Sequence, residues 1–138
     1  MSTDFKLHHQ LAADTSLVDD LAYCHCLLME DARYPWLILV PRIACLTELH
    51  DLPTAHRLQI YDEISAVSKA LQQVANAHKI NVAALGNQVS QLHIHVIARQ
   101  QDDFAWPGPV WGIGQAQPYT ASTRDDLITA LRKSFASL

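Results

Sequence analysis

The feature that most constrains this chain is the segment 91–99, in which apolar and polar side chains alternate with the period of a β-strand. Apolar residues at every second position, from Leu92 to Ala98, share one face and need a core to pack against. The other face carries Gln91, His93 and His95, about 6–7 Å apart along a strand that rises ~3.3 Å per residue. Such a row serves no packing purpose, so the segment predicts a buried strand with a chemically active face.

Further short strands are expected along the chain. The apolar runs 21–29 and 36–40 have the length of buried strands, and a third apolar stretch, 81–85, ends at the turn-forming pair Gly86 and Asn87. The first twenty residues carry scattered apolar positions among acids and turn formers. They are expected to form a strand or an irregular lead-in.

Two helices are predicted. Apolar residues recur at three- and four-residue steps between Thr54 and His78, and Pro53 fits the start of that helix. The tail 122–138 has the same spacing, with Ser122 and Asp125 as a capping box. Short strands around one long helix predict an α+β fold, in a single domain over residues 1–138.

Composition narrows the function classes. With 49% apolar and 17% charged residues the chain is neither disordered nor fibrous. It has no apolar run long enough for a membrane helix and no signal-peptide pattern, so a cytoplasmic protein is expected. Net charge is −4 and the basic residues are scattered, which argues against a polymeric nucleic acid but not against a single nucleotide. Three cysteines, an odd number, argue against a disulfide framework.

The paired imidazoles of His93 and His95 allow two kinds of chemistry. They can bind a metal, with a thiol from Cys24 or Cys26 as a further ligand, although these thiols also suit a core strand. Alternatively, they can bind and attack a phosphate, because neutral imidazole is a nucleophile. The segment just upstream offers backbone N–H groups, amides and a hydroxyl suited to an anion, on Gly86, Asn87, Gln88 and Ser90.

Together these segments resemble the histidine triad (HIT) superfamily. Residues 91–99 are similar to its signature, in which three histidines alternate with apolar residues. Residues 27–42 resemble the paired strands of its nucleoside pocket, and residues 102–112 resemble a Trp/Pro segment of a bacterial branch. The resemblance implies a HIT-like fold, an antiparallel sheet of about five strands with one long helix and a C-terminal helix. It also implies a homodimer that binds a nucleotide or nucleotide conjugate. No cofactor is expected, and hydropathy and charge argue against a membrane or a polymeric nucleic acid as partner.

The resemblance assigns roles to the histidines. The nucleophile falls on His93, and His95 is expected to bond phosphate oxygens and to help the leaving group depart. Two positions differ from the family pattern. The first triad histidine is replaced by Gln91, whose amide can hold a neighbour but cannot shuttle a proton, and a further family histidine is replaced by Trp36.

Other residues are candidate substrate contacts. The resemblance maps Asp31 to the ribose hydroxyls and the polar residues before the triad to the phosphate. Arg99 lies on the same strand face as His95 and either assists there or forms a solvated strand end. The tryptophans at 106 and 111 suit core or interface positions, with Trp106 also a candidate contact. The full set of expected substrate contacts is Asp31, Asn87, Gln88, Ser90, Arg99 and Trp106.

Three functions therefore compete. The leading one is a hydrolase or nucleotidyltransferase that acts at the α-phosphorus through a nucleotidyl-histidine intermediate on His93. The second is a non-catalytic nucleotide-binding protein, which the replacement of a triad histidine by Gln91 suggests. The third is a metal-binding protein that uses His93 and His95.

Overall fold

A computed structural model of the protein describes residues 4–137, and its centre is a five-stranded antiparallel sheet of order β1-β2-β3-β5-β4. This confirms the α+β class and the expected antiparallel sheet of about five strands. Short 3-10 turns at Leu49–Asp51 and Thr54–His56 precede the long helix. The elements in chain order are α1 (His9–Asp14), β1 (Thr15–Asp20), β2 (Cys24–Met29), β3 (Trp36–Pro41), α2 (Arg57–Ala75), β4 (Lys79–Ala83), β5 (Ile94–Arg99) and α3 (Ala121–Ala136).

The central strands β3 and β5 are buried on both faces. On one face Ile94, Val96 and Ala98 join a core cluster with residues of α2 and α3. On the other face Ile97 joins a second cluster with Trp36. The alternation predicted for residues 91–99 is therefore confirmed, although β5 begins at Ile94, three residues later than expected. Burial of both faces explains why none of its side chains is solvated.

The helix boundaries differ from those predicted. Helix α2 ends at Ala75 rather than His78, because Asn76 adopts the left-handed conformation (φ 48°) that closes many helices. Helix α3 begins at Ala121, and the hydroxyl of Thr120 accepts the backbone N–H of Thr123. The predicted capping box at Ser122 is wrong, since a better N-cap lies two residues earlier.

The first twenty residues are more regular than expected. Within the described part of this segment, the six-residue helix α1 leads directly into strand β1, which pairs with β2 at the edge of the sheet. The buried side chain of Leu11 anchors α1 to the second core cluster. None of the helices in residues 4–137 has the length and apolar character needed to cross a bilayer.

Candidate active site

A cavity of about 380 Å³ opens on the face of the sheet opposite α2. His93 and His95 line it and are almost buried, with 7% and 4% of their surface exposed. Its floor includes Met29 and Ile38 of the sheet. Its walls come from three segments, which are α1 (Gln10, Leu11 and Asp14), the loop 85–89, and the pair Trp111 and Gly112.

The tautomer of His93 follows from one hydrogen bond. Its Nδ1 lies 2.7 Å from the backbone carbonyl oxygen of Gln91. A carbonyl oxygen can only accept, so Nδ1 carries the proton. The neutral ring therefore has its lone pair on Nε2, the nitrogen left for a group bound in the cavity. This is the protonation state that a nucleophilic imidazole needs.

His95 has the opposite tautomer. The indole Nε1 of Trp36 lies 3.0 Å from its Nδ1, and an indole N–H can only donate. Nδ1 is therefore the acceptor, and the neutral ring carries its proton on Nε2. Burial, with a smaller contribution from the charge of nearby His93, lowers the pKa of His95 from 6.5 to about 4. At neutral pH His95 is therefore an uncharged N–H donor whose ring lies beside that of His93.

The aromatic surroundings hold these two rings in place. The ring centroids of His93 and His95 are 4.8 Å apart in an edge-on arrangement. Trp111 packs edge-on against both His95, at 5.1 Å, and Trp36, at 5.8 Å. Trp111 was expected to be a core or interface residue, and the structure adds it to the cavity wall.

The side chain of Gln91 does not line the cavity. Its Oε1 accepts the backbone N–H of His8 at 2.9 Å, and its Nε2 donates to the carbonyl of Lys6 at 2.9 Å. It was expected to hold a phosphate oxygen or a neighbour, and the neighbour it holds is the N-terminal segment. That segment leads into α1, so Gln91 indirectly supports the cavity wall that carries Gln10 and Asp14.

We predict that Gln91→Ala loosens the N-terminal segment. It removes two hydrogen bonds, each of which stabilises the closed arrangement by about 1 kcal/mol. Amide exchange over residues 5–14 should become faster, with little change in the central strands, as measured by mass spectrometry of native-state exchange. Gln101→Ala, at an exposed position beyond the other end of β5, is the matched control. Unchanged exchange in Gln91→Ala would show that the segment is held by other contacts.

Comparison with known proteins places the chain in a family. Residues 10–102 match the family model of the HIT domain. The chain belongs to the histidine triad (HIT) family. The HIT family includes hydrolases and transferases, and its proteins bind nucleotides. A search of curated proteins gave no match.

Three solved HIT structures show the extent of the similarity, each with a TM-score of 0.93. A histidine triad protein from Bradyrhizobium japonicum is 44% identical, with 95% of this chain and 98% of that chain covered. One from Sinorhizobium meliloti is 39% identical over 96% and 98%. One from Marinobacter aquaeolei is 42% identical over 97% and 98%. The HIT fold therefore extends over nearly the whole chain.

The carboxylate expected at the ribose is engaged elsewhere in this HIT protein. Asp31 is only 2% exposed and forms a close ion pair with Arg33, which donates to both of its oxygens. Burial acts to raise the pKa of Asp31, but the hydrogen bonds from Arg33 and Gln117 hold it below its usual range. Asp31 lines a smaller adjoining cavity of about 180 Å³ rather than the main one.

The main cavity has a different carboxylate, on Asp14 of α1. Both of its oxygens accept hydrogen bonds from the side chain of Gln10, at 2.9 and 3.0 Å. Sequence reasoning missed these two residues. The segment 9–14 has no sequence motif that would indicate a site. Its link to the site is a long-range contact, the hydrogen bond between His8 and Gln91, which are 83 positions apart.

The loop between β4 and β5 contributes two of the expected phosphate contacts. Asn87 and Gln88 line the cavity, and their side chains are exposed to it and to solvent. Gly86 precedes them with φ 78°, a backbone conformation that residues other than glycine rarely adopt. Ser90 is also exposed but does not line this cavity, so the structure does not bring it to the histidines.

Arg99 and Trp106 do not reach the cavity. Arg99 is 1% exposed, and its guanidinium donates to Asp103, to the side chain of Asn81 and to the carbonyl of Gly108. The strand end is therefore buried rather than solvated, because the loop after β5 folds back and supplies the carboxylate of Asp103. The ring centroid of Trp106 lies 5.6 Å from this guanidinium, and Trp106 does not line the cavity either.

The metal alternative finds no ligand set among the described residues. Cys24 and Cys26 are buried in the core cluster on the α2 side of the sheet, whereas the cavity lies on the opposite side. Burial raises the pKa of both thiols far above its usual range, which opposes the thiolate form that metals require. Within residues 4–137, no three His, Cys, Asp or Glu side chains are grouped to hold a metal ion.

Proposed function

We propose that this HIT protein is a nucleotidyl hydrolase or transferase that acts at the α-phosphorus of a nucleotide through a covalent intermediate on His93. The observation that carries the proposal is the 2.7 Å bond from His93 Nδ1 to the carbonyl of Gln91. It commits the ring proton to Nδ1 and leaves the lone pair on Nε2. A buried imidazole held in that tautomer beside an N–H donor suits attack on a phosphate ester or anhydride.

The neighbouring groups support the reaction by stabilising charge on the phosphoryl oxygens. His95 offers Nε2–H without a positive charge of its own, and Asn87 and Gln88 offer side-chain amides at the cavity wall. Preorganised donors of this kind lower the energy of a phosphoryl transition state without a metal ion. After the leaving group departs, water or another acceptor takes the nucleotidyl group from His93.

The cavity suits a nucleoside monophosphoryl group in size and lining. Its volume of about 380 Å³ is within the range of small-ligand pockets. Apolar side chains, among them Leu11, Met29 and Trp111, offer a surface for a nucleobase. Asp14 and Gln10 offer acceptors and donors for hydroxyls, and we propose that they take the place expected for Asp31 at the ribose.

The test uses four nucleoside 5′-(p-nitrophenyl phosphates), one for each common base, with and without a chelator. Release of nitrophenolate that resists the chelator is expected for at least one base. The competing function is non-catalytic nucleotide binding, which the Gln91 and Trp36 positions favour because each lacks a family histidine. A rise in Tm with nucleoside monophosphates, together with no release from any ester, would establish that alternative instead.

We further propose that the protein is a homodimer, as the resemblance implies. Strand β4 is at the edge of the sheet and exposes Val82, which is 50% exposed. An edge strand with an exposed apolar side chain is a ready site for pairing with a second copy.

We predict that Val82→Lys weakens dimerisation, because it puts a charge on the apolar edge. The dissociation constant should rise by roughly tenfold or more, as measured by sedimentation equilibrium. Leu17→Lys is the matched control, because Leu17 is similarly exposed on β1 at the opposite edge. A monomeric wild type, or a dimer weakened only by Leu17→Lys, would contradict the proposed interface.

A further inference from the structure

The hydrogen bond between Trp36 and His95 limits what His95 can do to a leaving group. His95 has one ring proton, on Nε2, because Nδ1 accepts from the indole at 3.0 Å. To become an imidazolium it would need a second proton on Nδ1, where it would face the indole N–H donor directly. To give up its Nε2 proton it would have to become an imidazolate anion. Neither change suits a general acid near neutral pH.

We infer that Trp36 is a positioning residue that restricts this enzyme to leaving groups able to depart without receiving a proton. The inference rests on the proposed function and names the class of substrate for the same site. Aryl phosphate esters and acid anhydrides of a nucleoside 5′-phosphate belong to that class. Phosphoramidates of alkylamines and esters of alkyl alcohols do not, because their leaving groups need a proton as the bond breaks.

The other titratable groups around His95 do not replace the missing acid. From its own segment it faces His93, whose proton is held on Nδ1 by the Gln91 carbonyl. From α1 the cavity receives Asp14, both of whose oxygens accept hydrogen bonds from Gln10. The packed neighbours from β3 and from residues 111–112 are not acids, since they are Trp36, Ile38 and Trp111. The low pKa of His95, about 4, agrees with an uncharged ring.

The balanced first step is then direct. The lone pair of His93 Nε2 forms the N–P bond while the bond from phosphorus to the leaving oxygen breaks. The electron pair of that bond stays on the oxygen, which departs as an anion, and the Nδ1 proton of His93 remains on Nδ1. In the second step a water oxygen forms an O–P bond, the N–P pair returns to Nε2, and the water proton passes to solvent.

The kinetic test compares leaving groups of rising pKa. It uses a series of aryl phosphates of adenosine, or of the nucleoside preferred in the first assay, each attached at the 5′ position. An alkylamine phosphoramidate of the same nucleoside completes the series. For the wild type, single-turnover rates should fall steeply, by up to roughly tenfold for each unit of leaving-group pKa, and the phosphoramidate should be the poorest substrate. Trp36→His replaces the indole, which can only donate, with an imidazole whose ring nitrogen can also accept a hydrogen bond. Nδ1 of His95 can then carry a proton, so the dependence of rate on leaving-group pKa should flatten and the phosphoramidate rate should rise about 100-fold.

A control variant separates this effect from packing. Trp111→Phe changes another indole that touches His95 but donates no hydrogen bond to it in the structure. It is expected to alter KM and to keep the steep dependence. Loss of the steep dependence in Trp111→Phe would overturn the assignment to Trp36.

Nitrogen-15 NMR gives a test that does not need turnover. His95 Nδ1 should show the shift of an unprotonated ring nitrogen that accepts a hydrogen bond, and the ring should titrate near pH 4. In Trp36→Phe the indole donor is lost, so the neutral form loses a stabilising bond and the pKa of His95 should rise.

The outcomes are distinguishable. A shallow dependence in the wild type, with chelator-resistant turnover intact, would overturn this inference and leave the proposed function standing. A protonated Nδ1 on His95 would overturn it as well. No turnover of any ester would overturn the proposed function and the inference with it.

Discussion

His93→Ala is expected to reduce kcat/KM by roughly four orders of magnitude or more, because the reaction would lose its nucleophile. The side chain lies in the cavity with its Nε2 lone pair free, and no other described residue that lines the cavity offers an equivalent nitrogen, since the Nε2 of His95 carries a proton. The measurement is release of nitrophenolate from the nucleoside ester that the wild type accepts.

The control for this prediction is His78→Ala. His78 is an exposed histidine at the start of the β4 segment, and it contacts Trp106 rather than the cavity. Its replacement should leave the rate within a few-fold of wild type. If His93→Ala kept more than about a hundredth of the activity while remaining folded by circular dichroism, a covalent role for His93 would be wrong.

Arg99→Ala is expected to lower the free energy of unfolding by about 3–5 kcal/mol. Arg99 and Asp103 form an ion pair whose side chains are 2% and 6% exposed, with nitrogen–oxygen distances of 2.8 and 2.9 Å. Removal of the guanidinium would leave a buried carboxylate without its partner and would release the loop that carries Gly108. Urea denaturation monitored by tryptophan fluorescence measures the change.

Two variants check the cause of that loss. Adding Asp103→Ala to Arg99→Ala should recover part of the stability, because the unpaired carboxylate is then gone. Arg124→Ala breaks a pair with Glu30 whose side chains are 29% and 28% exposed, and it should cost less than about 1 kcal/mol. Equal losses in Arg99→Ala and Arg124→Ala would contradict the importance of burial.

The same ion pair makes stability depend on pH at the acid end. Burial acts to raise the pKa of Asp103, but hydrogen bonds from Arg99 and from backbone N–H groups hold it below its usual value. The contribution of Asp103 to the free energy of unfolding is therefore fully present above the pKa of about 3.9 that the carboxyl has in the unfolded chain. It is lost as the pH falls through the lower pKa that Asp103 has in the folded protein. The wild type should lose this part of its stability below about pH 4, whereas Asp103→Asn should not.

Gln91 and Trp36, the two positions expected from the resemblance to differ from the family pattern, have different structural roles. Gln91 makes no contact with the cavity through its side chain and instead ties residues 6 and 8 to the start of the β5 segment. Trp36 remains at the site, where its indole fixes the tautomer of His95. One position therefore contacts the N-terminal segment, and the other contacts His95.

The alternation in residues 91–99 was sufficient to predict the central strand, because a period of two needs only local sequence. It also placed His93 and His95 on the face opposite the α2 core, which the two separate clusters reflect. Fold class followed from the same patterns and from the HIT resemblance. These are features that neighbouring residues determine among themselves.

Long-range contacts could not be predicted in this way. Gln91 bonds to two residues of the N-terminal segment, at sequence separations of 83 and 85 positions. The backbone N–H of Gln117 donates to Asp31 at a separation of 86 positions. Arg99 shared a strand face with His95 and was expected to share its site, but the following loop supplied Asp103 four residues later. Face alone did not determine which partner an arginine would find.

The measurement that tests the central claim most directly is intact-protein mass spectrometry after a rapid quench at neutral to alkaline pH. Wild-type protein mixed with an excess of its best nucleoside 5′-aryl phosphate should gain the mass of one nucleoside monophosphoryl group, and peptide fragmentation should locate it on His93. His93→Ala should show no such gain. Turnover without any adduct, or an adduct on a residue other than His93, would contradict the account.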